Sequence, residues 1–202
     1  MNPRRIERFF LVLAREFRGP ATIIVTGAAA GALWGRLRPS QDIDFGVRLL
    51  GRGPARWERF ANAVDRAARH TGLQVNYAED IDRWGSITLL NYRRHTVSYR
   101  RIGRLQIRLL EPAYWAIGKL SRYFALDVED VARVLPHTRT PAATAIRVWG
   151  RALRASPHSV AITQFRTQVE HFLRTYGRGI WGKTFDVEAA VRQFYRAAHL
   201  RP

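Results

Sequence analysis

An α+β fold is what these 202 residues predict: a small mixed sheet flanked by helices, followed by a helical C-terminal part. Three observations lead there. Residues 21–47 run from an apolar, β-branched stretch through a small-residue turn into a helix, then to a second strand. Residues 87–110 alternate polar and apolar side chains with the period of strands. Residues 136–202 repeat apolar side chains every three or four positions, the period of helices.

In chain order, Ile6, Phe9, Phe10, Leu13 and Phe17 fall at helical spacing within residues 4–17 and predict an amphipathic, core-facing helix. Ile23–Thr26 predicts a buried strand, Gly27–Arg36 a helix, Arg38-Pro39 a loop, and Asp42-Ile43-Asp44 part of a second strand. Gly51–Pro54 then punctuates the chain before a helix marked by Trp57, Phe60, Ala61, Val64 and Ala67. Residues 73–77 predict a strand and 81–85 a loop. The runs ITLLNY, TVSYRRI and LQIRLL predict two or three strands, with Ile102-Gly103-Arg104 as a turn. Glu111-Pro112 opens a helix, because proline fits the first helical position, and Ala113, Ile117, Leu120 and Phe124 form its apolar stripe. Beyond it, three helical stripes centre on Trp149, Phe165 and Phe194, separated by Pro136, Pro141, Pro157 and a Gly177–Gly182 loop. The change of pattern divides the chain into residues 1–135 and 136–202.

Composition narrows the function classes. The chain has no cysteine, which excludes disulfides and thiolate metal sites. No apolar run reaches the ~20 residues of a membrane span and no leader opens the chain, so the expectation is a cytoplasmic protein without a membrane partner. The net charge is +18, and only two of the 34 basic residues are lysine. Such a charge concentrates polyanions and favours RNA or DNA as partner. An arginine-rich proteome gives the same count with no partner implied. Eight of the sixteen acids lie in three clusters, Asp42/Asp44, Glu79/Asp80/Asp82 and Asp127/Glu129/Asp130. Seven arginines and no acid lie between Asp82 and Glu111. Among them Arg100, Arg101, Arg104 and Arg108, with Tyr92 and Tyr99, are the candidate nucleic-acid face, the alternative being a half-solvated sheet whose outer side is arginine.

The chemistry concentrates around Asp42 and Asp44. Alternation turns both carboxylates to one side of a strand, where a hard divalent cation would relieve their repulsion. The Gly27 turn offers backbone N–H groups to a phosphate. Gly27-Ala28, thirteen residues, then Asp42-x-Asp44 resembles the signature of the polymerase-β-like nucleotidyltransferases. The run Arg38-Pro39-Ser40-Gln41-Asp42-Ile43-Asp44-Phe45 is especially similar to the AbiEii-type branch, the nucleotidyltransferase-like toxins of toxin–antitoxin and phage-defence systems. The likeness covers roughly residues 20–135.

This resemblance implies transfer of a nucleoside monophosphate from an NTP, dependent on Mg²⁺ or Mn²⁺, to an acceptor that the charge suggests is RNA, such as a tRNA 3′ end. Asp42 and Asp44 would hold the metal; Thr26, Gly27, Ala28, Arg38 and Lys119 would bind nucleotide. Lys119 followed by Asp127-Val128-Glu129-Asp130 matches the branch's lysine and its following acidic motif, which implies catalytic roles for Lys119 and Asp130 beside Asp42 and Asp44. A cognate antitoxin would be a further partner. Asp127 and Asp130 also fit an N-cap and its capping box. The pattern fails at the third carboxylate, since LQIRLL carries Arg108 where an acid is expected; Glu111, Asp82 and Asp80 are the available substitutes. A non-catalytic nucleic-acid-binding protein of the same fold is therefore the alternative.

Overall fold

A computed structural model describes residues 2–35, 42–51 and 53–201. The elements follow in the order α1 (Pro3–Phe17), β1 (Ala21–Thr26), α2 (Gly27–Leu33), β2 (Asp42–Leu49), α3 (Pro54–Thr71), β3 (Gln74–Ala78), β4 (Arg83–Trp84) and β5 (Ile87–Thr88). After these come β6 (Thr96–Ile102), β7 (Leu105–Leu110), α4 (Pro112–Arg122), α5 (Ala125–His137), α6 (Ala142–Ala155), α7 (Val160–Trp181) and α8 (Val187–Ala197). The fold is α+β with a helical C-terminal part. It forms two compact units, one of Met1–Ile81 with Thr96–Leu110, the other of Asp82–His95 with Glu111–Pro202. Among the described residues no helix is long and apolar enough to cross a membrane.

The first unit is a five-stranded mixed sheet in the order β3-β2-β1-β7-β6. β1 runs antiparallel to β2 and parallel to β7, and β3 lies parallel to β2. One face is apolar: Ala21, Ile23 and Val25 align with Leu49, Val47 and Phe45, and with Leu105, Ile107 and Leu109. Against Phe45 pack Phe9 and Phe10 of α1, with ring centroids 6.2 and 5.9 Å away, and Tyr77 stacks on it at 5.7 Å. Phe60 of α3 meets Tyr77 edge-on. Local signals delimit these helices. Asn2 caps α1 through Arg5 N–H at 3.0 Å, and Gly72 ends α3 with φ +63°, a conformation that costs glycine little. The opposite face of the sheet carries Asp42, Asp44 and Arg48 on β2, Thr22 on β1 and Gln106 and Arg108 on β7.

The second unit contains α4 to α8 and the β4–β5 hairpin. Trp149 of α6 is fully buried and donates its indole N–H to Ala113 O at 3.0 Å. At Gly150 a Cβ would stand 2.5 Å from Ala197 Cβ, so glycine lets α6 and α8 approach closely. Ser156 receives Thr88 N–H at 2.8 Å and fastens the hairpin to α6.

Five local expectations need correction. Residues 81–85 are not all loop, since Arg83–Trp84 pairs with Ile87–Thr88; in turn ITLLNY is a strand only over that second pair. Gly177–Gly182 is not a loop, because α7 continues to Trp181. A Cβ at Gly177 would lie 2.3 Å from the Phe185 ring, so that glycine makes room for packing rather than ending the helix. Phe124 is 68% exposed and joins no buried stripe. Tyr123, with φ +57°, closes α4 one residue earlier and turns Phe124 outward. The helix predicted over Gly27–Arg36 ends at Leu33, with Trp34 as its C-cap, and the expected Arg38-Pro39 loop lies outside the described residues.

Candidate functional site

β2 sets the candidate site in the first unit. Asp42 and Asp44, both half-buried, flank the fully buried Ile43 and share the sheet face opposite α1 and α3. Asn76 on β3 is the register partner of Asp44. Its amide donates to Asp42 Oδ2 at 3.1 Å and to Asp44 Oδ1 at 3.0 Å, so one NH₂ group bridges the two carboxylates. Reversing that amide would aim Asn76 Oδ1 at the point where the carboxylates converge. Two carboxylates and an amide oxygen are an all-oxygen donor set of the kind a hard divalent cation takes. Among the described residues no group of three His, Asp or Glu side chains gathers as a metal site.

Thr26 and Gly27 close the other side. Thr26, buried and extended, is the register partner of Asp44 and the N-cap residue of α2, to which its side chain makes no capping bond. Gly27 has φ +59°, and a Cβ there would lie 2.1 Å from Asp44 Oδ2. The glycine is thus required twice, for a left-handed backbone and for the space Asp44 occupies. Ala28 follows, half-buried in the first turn of α2. Arg38 lies outside the described residues. Gly27→Ala should lower the unfolding free energy by about 1–3 kcal/mol and displace the Asp44 carboxylate. Urea unfolding measures the first effect, and an unchanged midpoint would refute this account of the turn.

β7 brings no acid to this face. Arg108, the register partner of Ile24, donates Nε to Thr96 Oγ1 at 2.6 Å and Nη2 to Thr96 O at 2.7 Å. Of the substitute acids, Glu111 and Asp82 belong to the second unit, where Glu111 meets His95 Nδ1 at 3.3 Å and Asp82 is exposed. Asp80 is exposed, just beyond β3.

The four candidate arginines do not form one surface. Strand alternation turns Arg100 and Arg101 to opposite faces, and a bulge between Ser98 and Arg100 on β6 aligns Arg100 with Ile107 and Arg101 with Gln106. Arg100 pairs with Glu7 of α1 at 3.2 Å, and Tyr99 donates its hydroxyl to the same carboxylate at 2.8 Å. Burial and that hydrogen bond push the Tyr99 hydroxyl up to about 12. Arg101 aligns with Gln106 and lines a cavity with Arg104 on the other face. Tyr92 is buried in the second unit. The expected basic and aromatic face therefore reduces to Arg101 and Arg104, with Arg108 bound to β6.

In the second unit, Lys119 of α4 is 3% exposed and donates to Asp127 Oδ1 and Asp130 Oδ2 of α5, each at 2.8 Å. Arg122 adds bonds of 2.9 and 3.0 Å to Asp127. Two cations thus match two carboxylates, with Lys119 Nζ 5.8 Å from the Trp115 ring centroid. Burial alone would raise the Asp127 carboxyl, but the bonds from Arg122 and Lys119 outweigh it and hold it below the usual range. Phe124 is the N-cap residue of α5, so Asp127 and Asp130 do not form the capping box that their spacing suggested.

Asn76 escaped the sequence reading. The polar side of LQVNY, Gln74 and Asn76 against Val75 and Tyr77, was its only local signal. Comparison with known proteins finds no matching family model, no matching curated protein and no matching solved structure.

Proposed function

We propose that the chain is a metal-dependent nucleotidyltransferase that moves a nucleoside monophosphate from an NTP to an RNA acceptor, with tRNA 3′ ends as the leading candidates. One observation carries this reading: Asp42 and Asp44 converge on a single amide beside a turn that only glycine fits. Asp42, Asp44 and Asn76 Oδ1 would hold Mg²⁺ or Mn²⁺, whose charge draws the triphosphate oxygens when bound. The backbone N–H groups of Gly27 and Ala28 would receive phosphate oxygens. The charge of +18 supports a nucleic-acid acceptor over a small molecule. Membership of a toxin–antitoxin pair is proposed from the Arg38–Phe45 run alone.

A second reading rests on Arg108. It holds the β7 position where a third carboxylate would complete the site, and it is already bonded to Thr96. A nucleic-acid-binding protein without transfer activity would tolerate that arginine. The deciding experiment offers each of the four labelled NTPs to total tRNA with Mg²⁺ or Mn²⁺, using Asp42→Ala as background. Label in RNA above that background is the expected result. Wild type equal to the background, with RNA still bound, would replace the first reading by the second.

A further inference from the structure

The face of the sheet that carries Asp42 and Asp44 also holds a cavity of about 420 Å³ at its far end. Arg101 and Arg104 line it with Thr22, Ser98 and Gln106, and none of its lining residues is acidic. Arg48, exposed on β2, is the register partner of Thr22 beside it. Among the described residues Arg101, Arg104 and Arg48 face no carboxylate, whereas Arg100 is neutralised by Glu7 on the opposite face. Strand alternation separates Arg100 from Arg101, the β6 bulge aligns Arg101 with Gln106, and Gly103, with φ +56°, forms the turn that places Arg104 next to Arg101. Uncompensated guanidinium groups beside two hydroxyls and an amide are suited to a phosphate, which accepts several hydrogen bonds at once.

We propose that this cavity is a phosphate subsite for single-stranded RNA, and that it takes a backbone phosphate of the acceptor strand. The choice of strand rests on the nucleotidyltransferase reading; the preference for phosphate does not. Register supplies the spacing. Thr22 marks the cavity and Thr26 aligns with Asp44, four residues along β1. At ~3.3 Å per residue the separation is about 13 Å, at most about four nucleotides, since ~3.4 Å is the rise per nucleotide of a strand stacked in a duplex and an unstacked strand covers more per step. Thr22, Ile24 and Thr26 share this face, and Arg108 aligns with Ile24 midway. The cavity therefore grips the strand within about four nucleotides of the end presented to Asp42 and Asp44.

The test is fluorescence anisotropy with a 5′-labelled, twelve-nucleotide RNA across a salt series. Arg101→Gln with Arg104→Gln should weaken binding by about tenfold or more. The slope of log K against log salt should become shallower by about 1.4, two contacts at ~0.7 each for a single strand. Lysine at both positions should restore most of that slope. On wild type, an uncharged methylphosphonate moved linkage by linkage from the 3′ end should weaken binding most at one linkage within about the first four, and the glutamine pair should erase that minimum. Wild-type affinity and slope in the glutamine pair, or no minimum in the walk, would overturn the subsite. Displacement of RNA by inorganic phosphate beyond the effect of chloride at equal ionic strength would make it a free-phosphate site and also overturn the proposal. RNA binding that depends on Arg101 and Arg104 in a protein that transfers no label would keep the subsite and remove the enzyme. Label transfer with RNA affinity indifferent to both arginines would do the reverse.

Discussion

Lys119→Met should lower the unfolding free energy by about 3–5 kcal/mol, the usual consequence of removing one partner from a buried ionic cluster. Asp127 and Asp130, both nearly inaccessible, would lose the ammonium that each contacts at 2.8 Å, and only Arg122 would remain beside Asp127. Acid should act on the two proteins in opposite directions. In the wild type the Asp127 carboxyl is held below its ordinary value of 3.8, so its contribution is complete above that value and is lost as pH falls through the depressed one. In Lys119→Met the two buried carboxylates share one cation fewer, so uptake of a proton there should restore part of the stability. Denaturant unfolding from neutral to acidic pH measures both trends, and parallel profiles would refute the charge-matching account. Replacing Lys119 by Met and both aspartates by Leu should recover most of the loss, since a whole buried cluster exchanges for apolar groups at little cost. That variant also isolates the catalytic part expected of Lys119 and Asp130. Undiminished label transfer by the stable triple variant would assign the cluster to folding alone.

The lysine was conspicuous because arginine is the chain's ordinary cation, yet its partners were legible only in part. Spacing put Asp127 and Asp130 on adjacent turns and suggested a cap. The left-handed Tyr123, which moves the start of α5 to Phe124, left no mark that propensity alone would read. The sheet was easier. Period-two alternation correctly turned Asp42 and Asp44 to one face and Ile43 to the other, because one side of β2 must be buried. Asn76 depended on the register between β2 and β3, a pairing across more than thirty residues that no local pattern encodes. The arginines of β6 show the same limit. Alternation alone separates Arg100 from Arg101, but one bulged residue decides which of them joins the face of Gln106, and no residue type in TVSYRRI demands it. Gly177 shows it for helices, where the space required by Phe185 decides and the usual link between glycine and turns misleads.

Asp44→Ala should reduce label transfer by about 10²–10³-fold, because charge stabilisation by a bound cation is worth several kcal/mol and each ~1.4 kcal/mol is a factor of ten. RNA affinity should scarcely change, since the arginine-lined cavity lies at the other end of the sheet. The geometry of Asn76 gives a companion experiment that needs no turnover. Asn76→Asp would set three carboxylates facing one another where an amide now donates to two. Without a divalent cation that variant should melt below the wild type, because the like charges lose the amide that now donates to both. Added Mg²⁺ or Mn²⁺ should raise its melting temperature more than that of the wild type, as a ligand that binds only the folded state stabilises it by mass action. Asp44→Ala should show the smallest metal-dependent shift of the three proteins. A wild type and an Asn76→Asp variant that both ignore divalent cations would refute the metal site, whatever becomes of RNA binding. A large metal-dependent shift in both, with label transfer absent, would keep the cation at Asp42 and Asp44 and identify Arg108, in place of a third acid, as the reason that no transfer follows.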